Sequence, residues 1–256
     1  MSKSGLDGVI AADTRLSLVD GEAGRLIVAG HELPELVRNH GFEGTTALLW
    51  DGLAPEGGDR DAVAAGLGKA RVEAFSYVPA LLAASRHLNV VEALRVGLGL
   101  LPDHAKTPHH LLTTAALPVF LAALLRRRDN KPAVAPDAAL NTAQDLLRMM
   151  RGERAPAAEE KALDAYLTTI ADHGFNASTF AARVVASTKA GLISAVLAGL
   201  CALKGPLHGG APGPVLDMLD EIGSSANIAP WLEKAVQDGE RLMGFGHRIS
   251  KVRDPR

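Results

Sequence analysis

The chain has 256 residues and a mass of 26.8 kDa, enough to bury a core as one large domain or as one domain and part of another. Its formal net charge of −2 leaves no basic excess, which argues against a nucleic-acid partner. Hydrophobic residues make up 47% of the chain but aromatic residues only 4%, a balance that favours packed helices over a β-sandwich.

The cysteine content and the apolar segments bear on the cellular location. The single cysteine, Cys201, excludes an internal disulfide, and a reducing, cytoplasmic location fits best. Residues 1–8 are polar and lack the apolar core of a secretory signal. The most apolar stretch, Ala190 to Leu203, is shorter than the roughly 20 residues that span a membrane. We therefore predict a buried helix there and no membrane partner.

The predicted elements begin with a hairpin and continue as helices. The apolar runs Thr14 to Val19 and Arg25 to Val28 flank the turn-forming loop Asp20 to Gly24 and predict two paired strands. Helical periodicity takes over from Phe42 onward. Helices are then predicted over 61–84 with a break or kink at Pro79, and over 89–101, 108–128, 138–150, 158–170, 176–204, 215–222 and 230–242. The predicted fold class is all-α.

Three of the nine histidines lie at glycine-containing breaks between predicted helices. They are His173, His208 and His247. Glycine permits close approach of a ligand to the main chain, so the three imidazoles are candidates for one cleft. A single histidine beside glycine is more often an ordinary loop residue, and this alternative stands for each one alone. Their spacings match no short zinc signature, and no metal is predicted.

A short basic run closes the chain. Lys251, Arg253 and Arg256 follow the last glycine bend. A phosphate or carboxylate partner would suit these cations. A solvated basic tail explains the same composition equally well.

The histidine segments, taken in order, resemble the motifs of the citrate synthase family. The motifs are Asp172-His173-Gly174-Phe175-Asn176-Ala177-Ser178-Thr179-Phe180, then Lys204-Gly205-Pro206-Leu207-His208-Gly209-Gly210-Ala211, then Gly244-Phe245-Gly246-His247-Arg248-Ile249, then Asp254-Pro255-Arg256. Further matches at residues 5–12 and 47–50 extend the resemblance over the whole chain. The three histidine motifs in this order outweigh the alternative of three unrelated loop residues.

The resemblance implies an all-α fold with two helical parts. Residues 1–211 would form a citrate synthase-like large domain with a short N-terminal β-hairpin, and residues 212–256 part of a small domain. Family members usually pair as a homodimer, and the helical segment 177–203 is a candidate for that interface or for the core. The small domain is expected to close over the substrates and exclude water.

The resemblance also implies an acyltransferase that condenses acetyl-CoA with oxaloacetate to give citrate and CoA. His208 would donate a hydrogen bond to the thioester oxygen as the enolate forms, and His247 would polarise the ketone of oxaloacetate. The residues implied in oxaloacetate binding are His173, Asn176, His247 and Arg256. The residues implied in coenzyme A binding are Leu207, Gly209, Gly244, Phe245, Gly246 and Lys251. Coenzyme A enters as a thioester substrate, and no bound cofactor is expected.

Two alternatives accompany this interpretation. The enzyme 2-methylcitrate synthase, which uses propionyl-CoA, shares every motif quoted above. In the family the catalytic base comes from a segment beyond the motif that Arg256 closes, so a non-catalytic remnant that binds substrate or dimerises is the second alternative. Three residues also depart from the pattern of the family. Ser250 replaces an expected aromatic residue, and Ala29 and His31 replace the usual Arg and Tyr.

Overall fold

The computed structural model describes residues 12–206, 208–210 and 212–240, together with residues 242, 244, 252, 254 and 256. The strands in these ranges are β1 (Ser17–Asp20), β2 (Arg25–Val28) and β3 (His31–Glu32). The helices are α1 (Leu33–Asn39), α2 (Gly41–Trp50), α3 (Arg60–Phe75), α4 (Val78–Ala84), α5 (Val90–Gly99), α6 (His109–Arg128), α7 (Thr142–Arg151), α8 (Ala157–Thr169), α9 (Ala177–Ser187), α10 (Leu192–Leu203), α11 (Pro212–Ile222) and α12 (Ile228–Gln237). The predicted all-α class is confirmed.

The N-terminal hairpin forms as predicted and gains a third strand. Strands β1, β2 and β3 pair antiparallel in chain order, with Ser17 opposite Val28. Neither β3 nor α1 was predicted, because β3 has only two residues and α1 only seven. Helix α1 is stabilised by the burial of its apolar side chains, since Leu33 and Leu36 are both almost fully buried.

Helix starts follow the side chains that cap them. Pro79 occupies the first turn of α4, where a missing N–H costs nothing, so the predicted break separates α3 from α4. Helix α7 begins at Thr142 rather than at 138, because the Asn141 side chain accepts from the Gln144 backbone N–H at 2.8 Å.

Helix α6 is the centre of the core. It packs against α3, α5 and α7, and Leu112, Val119 and Phe120 on it are fully or almost fully buried. By length and composition α6 could cross a membrane, but 61% of its most apolar 18-residue stretch is buried inside the protein. Burial of that extent is the pattern of a core helix.

The single long helix predicted over 176–204 is wrong, because it is divided into α9 and α10. The two helices pack against each other and are joined by residues 188–191. Lys189 there adopts a left-handed backbone with φ of 60°, which a continuous α-helix does not allow. The expected buried helix is also incomplete, since in α10 only Ile193 and Ala195 are buried and Leu192 is 40% exposed.

Helices α11 and α12 follow the glycine-rich turn that carries His208. An apolar groove of about 370 Å³ lies between them and is lined by Met218, Leu219, Ile222, Gly223, Ser224, Ser225, Ile228 and Leu232. None of the predicted site residues that the structure describes lines this groove. The division into a large domain over 1–211 and a partial small domain over 212–256 stays a prediction.

Candidate active site

The loop between α8 and α9 carries His173 and is tied to the N-terminal hairpin. The Asp172 Oδ1 atom accepts hydrogen bonds from the Gly174 backbone N–H at 3.0 Å and from the Ser17 hydroxyl on β1. Gly174 has φ of 90°, a left-handed conformation that favours glycine. The hairpin therefore fixes the loop that presents His173.

Asn176 has two roles at the start of α9. Its Oδ1 atom caps the helix by accepting from the Thr179 backbone N–H at 3.0 Å. Its Nδ2 atom lies 3.4 Å from Nε2 of His173. With Oδ1 occupied by the helix, only the Nδ2 side of the amide faces the histidine.

Ser178 joins this loop to the second histidine segment. Its Oγ atom lies 2.7 Å from Asn176 Oδ1 and 2.9 Å from His208 Nε2. A serine hydroxyl has one proton and two lone pairs. Asn176 Oδ1 can only accept, so the hydroxyl donates to it and accepts from His208, which places the ring proton of His208 on Nε2 in this arrangement.

A tight turn after α10 positions His208. The Gly209 backbone N–H donates to the Leu203 carbonyl at 2.8 Å, and the His208 backbone N–H donates to the Gly205 carbonyl at 3.0 Å. A Cβ atom at Gly209 would stand closer to the Leu203 carbonyl oxygen than real side chains come. The glycine is thus required by the close approach of the turn to the end of α10.

The electrostatic environment favours the neutral form of His173. Burial lowers the pKa of His173 below its ordinary value, and the positive charge of Arg256 lowers it further. The nearby Asp172 carboxylate opposes both effects, and His208 adds a smaller lowering. Arg256 and His208 are therefore near enough to His173 to affect its pKa.

Arg256 is held by a carboxylate two residues away. Its Nε and Nη2 atoms donate to the two carboxylate oxygens of Asp254 at 2.9 and 2.6 Å. This bond raises the pKa of the guanidinium. The two guanidinium donors that could bind a substrate carboxylate are therefore hydrogen-bonded to the carboxylate of Asp254.

The structure gathers part of the predicted site. His173, Asn176 and His208 are joined through Ser178, and Arg256 acts on His173 electrostatically. Gly209 lies in the turn next to His208, whereas Gly244 lies against Val215 of α11. The other predicted residues fall outside the described residues and are Leu207, Phe245, Gly246, His247 and Lys251.

Ser17 and the bridging role of Ser178 were not predicted. In the sequence Ser178 is only one residue of the first histidine motif, and its contact with His208 joins residues 30 positions apart. Ser17 and Asp172 are 155 positions apart. No local sequence pattern reports such pairs, so the tertiary structure was needed to find them.

Comparison with known proteins identifies the family. The family model described as "Citrate synthase, C-terminal domain" matches residues 5–256. The chain belongs to the citrate synthase family. Relatives in this family include the citrate synthase of Haloferax volcanii, which is 35% identical over 99% of this chain and 71% of its own length. A 2-methylcitrate synthase of Mycobacterium tuberculosis is 34% identical over 99% of this chain and 67% of its own length.

Solved structures of citrate synthases share the fold. The enzyme from Thermotoga maritima aligns with a TM-score of 0.84 and 31% identity, over 100% of this chain and 70% of that one. The enzyme from Thermoplasma acidophilum, in ternary complex with carboxymethyl coenzyme A and oxaloacetate, aligns with a TM-score of 0.82 and 26% identity, over 97% and 68%. The chain thus spans about two-thirds to seven-tenths of the citrate synthases it matches, and the family is one of acyltransferases.

Proposed function

We propose that this chain binds oxaloacetate and acetyl-CoA and takes part in their condensation to citrate and CoA. The observation that carries the proposal is the hydrogen-bonded series His173–Asn176–Ser178–His208, which links two of the three histidine motifs. A series of this kind orients both rings through a shared partner. Membership of the citrate synthase family supplies the reaction class.

His208 is proposed to stabilise the enolate. When a base removes a proton from the acetyl methyl group, negative charge moves to the thioester oxygen, which then needs a donor. Nε2 of His208 faces Ser178, so the donor would be Nδ1. A neutral ring donates from Nδ1 only if Nε2 accepts, which requires the Ser178 hydroxyl to turn from Asn176 toward His208.

The remaining steps involve oxaloacetate. The methylene carbon of the enolate forms a bond to the ketone carbon, and the ketone oxygen takes the negative charge and then a proton. His247 is proposed to stabilise that oxygen, and hydrolysis of the thioester releases citrate and CoA. Arg256 and His173 are proposed to hold a carboxylate of oxaloacetate, with Arg256 exchanging Asp254 for the substrate.

The coenzyme A site is proposed on the glycine-rich turns. Leu207 and Gly209 flank His208, so a thioester held there would have its carbonyl beside the imidazole. Gly244, Phe245, Gly246 and Lys251 are proposed to hold the rest of the coenzyme, with the Lys251 cation facing a phosphate. A cytoplasmic location and a reaction without a bound cofactor remain part of this proposal.

A homodimer is proposed through α9 and α10. No residue of α9 is buried within the described part of the chain, and Phe180 and Val184 are 36% and 50% exposed. Leu192 and Leu203 add exposed apolar surface on α10. Val184→Glu would place a charge on this face, and light scattering would then report a monomer where the wild type is a dimer. Dimers that persist in Val184→Glu would contradict the proposed interface.

The first experiment is thiol release from acetyl-CoA in the presence of oxaloacetate. Loss of one oxyanion donor commonly lowers turnover by about 10²–10³, so we expect His208→Ala to do the same. His87→Ala is the matched control, since His87 is exposed and outside the site. Equal rates in wild type and His208→Ala would contradict the proposed role of His208.

Binding distinguishes the non-catalytic alternative. If the polypeptide alone gives no turnover, calorimetry with oxaloacetate tests the site directly, with His173→Ala as the variant and His87→Ala as the control. Binding that is lost only in His173→Ala supports a substrate-binding chain. Absence of both turnover and oxaloacetate binding would overturn the proposal.

The alternative function, 2-methylcitrate synthesis, differs from citrate synthesis in the acyl group that is transferred. Relatives named citrate synthase and 2-methylcitrate synthase have nearly the same identity to this chain, 35% and 34%. The same assay with propionyl-CoA therefore decides between them. A larger kcat/KM for propionyl-CoA would assign the chain to 2-methylcitrate formation.

A further inference from the structure

A group of two imidazoles and one carboxylate lies at the N-terminal edge of the fold, outside the candidate active site. It consists of His31 on β3, Glu35 in the first turn of α1 and His40 at the junction of α1 and α2. One ligand atom from each residue lies within 4.8 Å of the other two. Within the described ranges of the chain, this is the one group of three or more His, Cys, Asp or Glu side chains that meets this distance.

The side chains already approach one another closely. Nδ1 of His31 lies 2.8 Å from Oε1 of Glu35. The His31 and His40 ring centroids are 5.1 Å apart, with the ring planes tilted by 53°. Among the described residues, no hydrogen bond engages the His40 ring. The hydrogen bond between His31 and Glu35 does not by itself explain why the His40 ring lies close to both side chains.

The backbone that carries the three residues is anchored. Leu33 and Leu36 of α1 are buried, and the His40 backbone N–H donates to the Leu36 carbonyl at 2.9 Å. The Phe42 N–H that follows donates to Asp164 Oδ1 at 3.1 Å. Ligands on fixed elements bind a metal with less loss of conformational entropy than ligands on free loops.

We propose that His31, Glu35 and His40 bind a divalent transition-metal ion, with Zn²⁺ as the best fit. Two imidazole nitrogens and one carboxylate oxygen form a recognised three-ligand zinc set, with water or another molecule completing the coordination. Tetrahedral ligands at about 2.1 Å from zinc lie about 3.4 Å from each other. Because the three ligand atoms lie within 4.8 Å of one another, no pair has to approach by more than about 1.4 Å to reach that geometry.

The surroundings admit an ion from solvent. The side chains of His31 and Glu35 are 31% and 43% exposed, and Glu35 contributes the negative charge. The harder ion Mg²⁺ prefers oxygen ligands and keeps most of its water, so two imidazoles select against it. The three histidines of the candidate active site are different residues, and the absence of a zinc signature among them does not bear on this cluster.

The test is Zn²⁺ binding by the untagged full chain, measured by competition with a chromophoric chelator. We expect one Zn²⁺ per chain and at least about tenfold weaker binding in His31→Ala and in His40→Ala. His87→Ala is the matched control and should bind as the wild type does. Circular dichroism checks that each variant is folded, and Glu35→Gln provides an isosteric change that removes only the charge.

Two further readouts make the outcome decisive. Co²⁺ substituted at this site should give a visible d–d absorption band that disappears in His31→Ala and persists in His87→Ala. Mg²⁺ in excess should leave Zn²⁺ binding unchanged. Equal Zn²⁺ affinity in the wild type and in the folded His31→Ala and His40→Ala variants would overturn the proposal. Because no residue is shared with the candidate active site, this result is independent of turnover.

Discussion

The Nε2 atom of His208 lies 2.9 Å from the Oγ atom of Ser178, and the same hydroxyl reaches Asn176 Oδ1 at 2.7 Å. Because Asn176 Oδ1 can only accept, the hydroxyl donates to it and accepts from Nε2–H of His208, and this sets the tautomer of the ring. Helix α9 thereby controls a histidine that lies in the turn after α10.

Ser178→Ala should release this control. We expect His208 to change from one dominant neutral tautomer to a mixture, which ¹⁵N-coupled NMR spectra of the ring report directly. Ser187→Ala is the matched control, because Ser187 is on the same helix and its hydroxyl bonds only to the carbonyl of Val184 in its own turn. An unchanged His208 spectrum in Ser178→Ala would show that the ring is oriented by other contacts.

The depressed pKa of His173 makes the stability of the fold depend on pH. The unfolded chain gains a proton on this residue as pH falls through about 6.5, while the folded chain resists it. Acid therefore favours the unfolded state, and the penalty is absent above that pH. We expect the melting temperature of His173→Gln to rise relative to wild type by up to a few degrees between pH 7.5 and 5.5. A difference between the two proteins that stays constant over this range would contradict the assignment.

A buried ion pair anchors α3 to α7. Arg71 Nε donates to Asp145 Oδ2 at 2.7 Å, and both side chains are essentially inaccessible. Asp145→Ala leaves a buried guanidinium without its carboxylate, which should lower the free energy of unfolding by about 3–5 kcal/mol in urea titration. Glu159→Ala breaks the exposed pair with Arg151 and should cost about 1 kcal/mol or less. Similar losses in both variants would contradict the buried-charge explanation.

The hairpin contact between Ser17 and Asp172 should restrain the His173 loop. In Ser17→Ala we expect hydrogen exchange of the backbone amides at 172–176 to accelerate by about fivefold, the equivalent of one ordinary hydrogen bond. Ser76→Ala is a suitable comparison, since its hydroxyl bonds within its own turn to the Glu73 carbonyl. Exchange in this loop that is insensitive to Ser17→Ala would indicate that the hairpin does not hold it.

Gly209 and Gly213 form a matched pair for testing the turn beside His208. Gly209→Ala would force a methyl group against the Leu203 carbonyl oxygen, whereas at Gly213 the same methyl group meets open space. We expect Gly209→Ala to lower the free energy of unfolding by about 1–3 kcal/mol and Gly213→Ala to leave it unchanged or slightly raised. Equal effects of the two substitutions would contradict the close approach seen in this turn.

Local patterns in the sequence determined much of the fold and the family. The turn at Asp20 to Gly24 predicted the hairpin, the break at Pro79 predicted a helix boundary, and three ordered histidine motifs indicated the citrate synthase family. These signals work because capping, turn formation and helical periodicity involve residues within a few positions of each other.

Only the tertiary structure decided the contacts between distant segments. The division between α9 and α10 was missed, because the polar residues 187–189 are compatible with a helix and the left-handed backbone at Lys189 has no glycine at that position to signal it, although Gly191 two residues later also has a positive φ. The Ser178–His208 and Ser17–Asp172 hydrogen bonds, and the meeting of His31 with His40, depend on how packed elements place side chains in space. Packing of α9 against α10 and burial of Leu33 and Leu36 on α1 set those placements, and no short stretch of sequence contains the distances that result.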